Sequence, residues 1–158
     1  MNDFLPPPGD ESGAGHAYAA LYNVVYCSRA SAGVGEADVQ RIVATAQRWN
    51  PEHGITGMLV FGSGIFFQWL EGPRDNIRAL MGRLRADARH GDIVELSEVE
   101  EVRERLFPDW AMELVTADHI REVLRDARDN ASDANHERAL DRLLEHLDSG
   151  ALSGLTPA

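Results

Sequence analysis

The sequence predicts an α+β fold: a two-layer βαββαββ sandwich of ferredoxin-like type, with two further helices after the last strand. Three observations predict it. Short apolar runs with period two alternate with longer segments whose apolar residues recur at helical spacing, in the order βαββαββ. The run Ile65-Phe66-Phe67-Gln68-Trp69-Leu70-Glu71-Gly72 carries large apolar residues on both faces, so both sides of the sheet are covered. Two amphipathic segments follow the last strand and supply the second cover.

The first strand runs from Ala20 to Ser28 and places Tyr22, Val24 and Tyr26 on one face, with Leu21, Val25 and Cys27 on the other. Acids at Glu36 and Asp38 open a helix whose apolar face is Val39, Ile42, Val43 and Ala46. Asn50-Pro51 is expected to stop it near Trp49. The runs Thr56 to Phe61 and Ile65 to Gly72 form a hairpin around Gly62-Ser63-Gly64. Pro73 opens a second helix with Ile77, Leu80, Met81 and Leu84 as its buried stripe, ended by Arg89-His90-Gly91-Asp92. Ile93 to Glu100 is a fourth strand, and Glu95, Glu98 and Glu100 mark it as an edge. A charged connection from Glu101 to Asp109 leads to a fifth strand, Trp110 to Val115, with Trp110, Met112 and Leu114 expected on one face. Residues 118–129 and 134–148 form the two closing helices, burying Ile120, Val123, Leu124 and Ala127, then Leu140, Leu143, Leu144 and Leu147 and stopping at Gly150. The domain reading is a flexible leader over 1–18, a core domain over 19–116, a two-helix extension over 117–150 and a frayed tail over 151–158.

With 158 residues the chain is about one domain, long enough to bury a core. Fifteen basic against 26 acidic residues give a net charge of −11, which argues against nucleic acid as a partner. One cysteine, Cys27, excludes an internal disulfide framework and a cysteine zinc cluster. No apolar stretch approaches a membrane span of about 20 residues, and the N-terminus lacks a signal-peptide pattern, so a cytoplasmic protein is expected.

The chemistry centres on Gln68. An amide on the face of Phe66 and Leu70 has donors and an acceptor to satisfy, and leaving them unpaired in a core costs about 1–3 kcal/mol per group. Something polar must therefore meet it. Enzyme constellations are missing: no Ser-His-Asp signature, no paired-histidine metal motif and no phosphate loop. Gly33-Val34-Gly35 lacks a third spaced glycine and a Lys or Ser/Thr partner. Read singly, Asn50 is a helix terminator, Tyr26 a strand tyrosine, and Arg89-His90 a last-turn pair suited to the helix dipole.

Together these residues fall into five ordered motifs: Leu21 to Ser28, Asn50 to Leu59, Phe66 to Gly72, Asp87 to His90, and Arg105 to Met112. Over roughly residues 20–115 the chain resembles the BLUF domains, sensors of blue light using flavin adenine dinucleotide (FAD). The resemblance implies a ferredoxin-like sandwich with the flavin between its two helices. It implies that Tyr26 is the photoactive tyrosine, Asn50 the flavin-holding asparagine, Gln68 the switching glutamine, and Trp110 and Met112 the mobile pair on strand five. Ile42 and Leu84 would pack the ring faces, and Arg89 and His90 its polar edge. Trp49 departs from the family, whose members often carry a polar residue there.

The function implied is a blue-light photoreceptor rather than an enzyme. Noncovalent FAD would drive electron and proton transfer from Tyr26, and Gln68 would switch its hydrogen bonds. Output would run through strand five and the C-terminal helices, with no effector domain following, to an unidentified downstream protein from a homo-oligomer. The rival readings are a small ferredoxin-like hydrolase of phosphate esters or acylphosphates, with Arg29 and the loop after it holding phosphate, and a flavin-free interaction module.

Overall fold

A computed structural model describes residues 20–131 and 133–148. The expected leader over 1–18, the tail over 151–158 and the stop at Gly150 lie outside them. The elements are β1 (Ala20–Ala30), α1 (Glu36–Glu52), β2 (Thr56–Gly62), β3 (Ile65–Gly72), α2 (Arg74–Arg85), β4 (His90–Val102), β5 (Glu113–Val115), α3 (Ala117–Asp129) and α4 (Ala134–Asp148). One five-stranded sheet has the order β4-β1-β3-β2-β5. All its pairs are antiparallel except β2 with β5. This is the expected βαββαββ arrangement, with β4 at one edge as its glutamates predicted.

The strand faces sort as the period-two reading expects. Tyr22, Val24, Tyr26, Leu59, Phe66 and Leu70 pack with Val39, Val43, Ile77 and Met81 of α1 and α2. Val25, Cys27, Met58, Phe67 and Trp69 pack on the opposite face with Ile120, Leu124, Leu140, Leu143 and Leu147 of α3 and α4. The central strand β3 is accordingly buried along its whole length. The Gly62–Ile65 pairing leaves a two-residue turn in which Ser63 and Gly64 both have positive φ, 54° and 74°. That turn twists with the flanking strands and fixes their register.

The boundaries differ from expectation at three places. Helix α1 runs through Asn50 and Pro51 to Glu52. Its stop is Gly54, at φ +68°: Ile55 N–H donates to Asn50 O at 3.0 Å and Gly54 N–H to Pro51 O at 3.4 Å, the six-to-one and five-to-two pattern of a left-handed helix cap. Proline lies late enough that its ring does not break the helix. Helix α2 starts at Arg74 with Pro73 as its cap and ends at Arg85, so Arg89 sits in the following turn and His90 already belongs to β4. Strand β5 is only Glu113–Val115. Trp110 and Met112 precede it, and the alternation expected to place them on one face does not operate. Pro108 and Asp109 instead form a turn, closed by Trp110 N–H donating to Phe107 O at 3.3 Å.

Candidate functional site

Helices α1 and α2 lie on the same sheet face with a cleft between them. Its floor is Tyr26 on β1, Leu59 on β2 and Phe66 and Gln68 on β3; its walls include Ile42, Thr45, Ala46, Trp49 and Asn50 of α1 and Leu80, Arg83 and Leu84 of α2. Leu80 and Leu84 were expected to be buried. They are half-buried, because they line this cleft while packing against the core beneath it. Asp87, Arg89 and His90 close one end.

The polar group that Gln68 requires is Tyr26. The two residues are directly opposite in the β1–β3 ladder, and being on the same face they meet. Tyr26 Oη donates a short hydrogen bond to Gln68 Oε1. Gln68 Nε2 in turn donates to Met112 Sδ at 3.3 Å. The amide orientation follows from its partners, since the reversed amide would present an acceptor oxygen to an acceptor sulfur. Burial pushes the Tyr26 phenol well above its ordinary pKa, with the Asp87 carboxylate adding to the effect, so Tyr26 remains a proton donor.

Asn50 is fully buried at the end of α1. Its Nδ2 donates to Ala111 O at 2.8 Å, which fixes its amide orientation as well. Its Oδ1 has no partner among the described residues. Beside it Gln47 Nε2 donates to Met112 O at 2.9 Å. Helix α1 thus holds the backbone of residues 111–112 and so positions the sulfur that meets Gln68. An unpartnered buried carbonyl in a cleft with apolar walls at Ile42 and Leu84 and a polar end fits a ligand with an N–H at its edge and flat apolar faces.

The remaining end of the cleft is a set of locked side chains. Arg89 binds Asp87 through Nε and Nη2, and that guanidinium holds the Asp87 carboxyl below the usual carboxylate range. His90 Nε2–H donates to Leu84 O at 2.6 Å. In the neutral ring Nδ1 is then the acceptor of the Ser28 hydroxyl, also at 2.6 Å. His90 also lies edge-on to Phe66, ring centres 5.9 Å apart.

The structure therefore gathers Tyr26, Ile42, Asn50, Gln68, Leu84, Arg89 and His90 around one cleft, with Met112 behind Gln68. It does not bring Trp110 there. The Trp110 ring stacks on Phe107, centres 5.0 Å apart, and packs with the core under α3 and α4. The turn at Pro108-Asp109 is the sequence signal that would have withdrawn Trp110 from the strand. Trp49 lies in the cleft wall, stacked on His53 at 3.5 Å. Arg29, the phosphate-holding residue of the hydrolase reading, lies 3.4 Å from the Asp92 carboxylate, which opposes an anion there.

One polar cluster was not anticipated. Glu71 and Arg103, both fully buried, form an ion pair at 2.9 Å on the other sheet face. Glu71 Oε2 also accepts from Phe107 N–H at 2.8 Å, and Arg103 Nε donates to Glu101, which in turn meets Arg142 of α4 at 2.7 Å. Arg105 reaches Gly54 O at 2.7 Å and Thr56 Oγ1 at 3.0 Å. These bonds fasten the connection between β4 and β5 to the sheet.

The chain is 34% identical over 99 residues to the photoactivated adenylate cyclase subunit beta of Euglena longa, a match covering 62% of this chain and 11% of that protein. It is 38% identical over 58 residues to the blue light- and temperature-regulated antirepressor BluF of Escherichia coli, covering 37% and 14% of the two chains. The chain thus spans only about a tenth of the cyclase subunit it matches. Among solved structures, the BLUF domain of BlrP1 superposes with a TM-score of 0.67 at 26% identity, covering 84% of this chain and 93% of that one. BlrB in its dark state gives 0.61 at 28% identity, covering 84% and 98%. The family model for sensors of blue light using FAD matches residues 21–113, which takes in the whole floor of the cleft and both of its helices; the chain belongs to the BLUF family of flavin-binding blue-light sensors.

Proposed function

We propose that the chain is a blue-light receptor that holds FAD noncovalently between α1 and α2 and signals by rearranging the hydrogen bonds of Gln68. The observation that carries this is the linear chain Tyr26–Gln68–Met112 beneath a cleft in which Asn50 Oδ1 waits for a donor. Asn50 would take the N–H at the edge of the ring system, Ile42 and Leu84 its two faces, and Arg89 and His90 its polar end. When bound, the flavin supplies an excited state that accepts an electron and a proton.

Tyr26 is the donor of both, since its phenol keeps its proton in the dark. Gln68 lies beside the phenol on the cleft floor and can relay a proton, because its amide both donates and accepts. After the charge returns, the amide is left rotated or tautomerised, with its donor aimed at a different acceptor. Met112 then loses the hydrogen bond at its sulfur. Met112 holds this contact, and the Trp110 ring lies on the other sheet face, stacked on Phe107. Purified protein should show an oxidised-flavin spectrum and a small, reversible red shift under blue light. Protein that never retains flavin, even when refolded with FAD, would reject the proposal.

Output follows from the chain after Met112. Its backbone is held by Gln47, β5 pairs with β2, and Thr116 caps α3 by accepting from His119 N–H at 3.2 Å. A change at Met112 therefore reaches α3 within a few residues, and the reading has the C-terminal helices pass it to a protein partner from a homo-oligomer. The domain division at residue 116 and a cytoplasmic location belong to the same reading. No described helix is long and apolar enough to cross a membrane. For α3 to report light, the two states must differ in its stability, typically by about 1–3 kcal/mol. Hydrogen exchange over residues 110–148 should differ between dark and light, and Met112→Ala should keep the red shift while shrinking that difference. Identical exchange in dark and light would reject this route.

A further inference from the structure

The cleft grades from a buried floor to an exposed mouth, where Arg83 projects from α2. Its guanidinium lies over the Trp49 ring of α1, 4.9 Å from the ring centre. The contact spans the cleft. The two halves are held differently. Trp49 is anchored: its ring stacks on His53 at 3.5 Å, His53 Nδ1–H donates to Trp49 O at 2.8 Å, and His53 O accepts from Asn76 Nδ2 of α2 at 2.7 Å. Arg83 is exposed, on a flexible stem, and free to swing.

We infer that the Arg83–Trp49 pair is a latch across the mouth of the cleft that sets how fast flavin enters and leaves. This rests on the cleft being the flavin site. A contact across the mouth must open for a ring system to pass in either direction, so it hinders entry as well as exit. A barrier present in both directions changes the two rates together. A cation–π contact at an exposed site shifts an equilibrium by about two- to fivefold. Removing the cation should therefore raise both rates by about that factor.

The test uses the full chain, stripped of flavin and reloaded with FAD, in four forms: wild type, Arg83→Gln, Trp49→Leu and the double variant. Uptake by the stripped protein and release from the loaded protein are followed by flavin fluorescence, without illumination of the photocycle. Arg83→Gln should speed both uptake and release, each by about two- to fivefold. In the Trp49→Leu background the same substitution should change neither rate. Wild-type rates in Arg83→Gln overturn the latch. So does faster release without faster uptake, which would make Arg83 a support of the bound state. An undiminished Arg83→Gln effect in the Trp49→Leu background overturns the pairing. A wild-type protein that takes up no FAD overturns the flavin reading itself, and this inference with it.

Discussion

Replacing Gln68 with leucine yields a protein that still takes up flavin and shows no red shift under blue light. Leucine fills similar space on the buried face of β3 and keeps the packing against Phe66 and Leu70, so the cleft survives. The residues proposed to hold the ring are on other elements: Asn50 and Ile42 on α1, Leu84 on α2. What disappears is every hydrogen bond that can be switched. Tyr26 Oη loses its acceptor and Met112 Sδ its donor. The orphaned phenol is 2% exposed, so the substitution also destabilises the fold by about 1–3 kcal/mol. Two measurements separate these effects: the light-minus-dark absorbance difference, expected to vanish, and the thermal midpoint at saturating FAD, expected to fall by a few degrees. A normal red shift in this variant would place the switch elsewhere, and the role of the Tyr26–Gln68 pair would be lost with it.

The sequence carried most of the fold because its strong signals are local. The Ser63-Gly64 turn, the alternation in β1 and the helical spacing of Leu140, Leu143, Leu144 and Leu147 each act within a few residues, and the observed α4 bounds match the expected ones. The demand for a polar partner at Gln68 was also local, since it follows from an amide within an apolar strand. The identity of that partner was not, because only the ladder register brings Tyr26 opposite it across 42 residues. The errors have the same origin. Period two does not extend through Trp110, because Pro108-Asp109 turns the chain before the strand begins. Asn50-Pro51 reads as a stop, whereas the helix ends in the capping bonds of Gly54 and Ile55. Leu80 and Leu84 lie on the expected apolar stripe but also line the cleft, which helical spacing does not show; for Leu84 only the family resemblance implies it. Glu71 and Arg103 were read as the end of a strand and part of a charged connection. Nothing local shows that two charges 32 residues apart are buried together.

Glu71→Ala should destabilise the protein by about 3–5 kcal/mol, the usual cost of removing one partner from a buried ion pair. The pair lies wholly out of solvent, so water cannot replace the lost carboxylate as it would at the surface. Arg103 keeps Glu101 and the Glu104 carbonyl, but loses its buried counter-charge. Phe107 N–H loses its acceptor at the same time, so the segment leading to Trp110 and Met112 is loosened where it meets the sheet. The charge, rather than the lost volume, is the source of the cost, and a double variant shows it. Glu71→Leu combined with Arg103→Met removes both charges and fills similar space. It should be more stable than Glu71→Leu alone, because the buried guanidinium that has lost its Glu71 partner is gone, and short of wild type by the hydrogen bonds that Phe107 N–H, the Glu104 carbonyl and Glu101 no longer make. Urea unfolding at a fixed FAD concentration measures all four forms on one scale, with the ligand contribution held constant. A loss below about 1 kcal/mol in Glu71→Ala would mean that the site opens to water on substitution. A double variant less stable than Glu71→Leu alone would mean that Arg103 stabilises the connection even without Glu71, through Glu101 and the Glu104 carbonyl, rather than standing as an uncompensated charge.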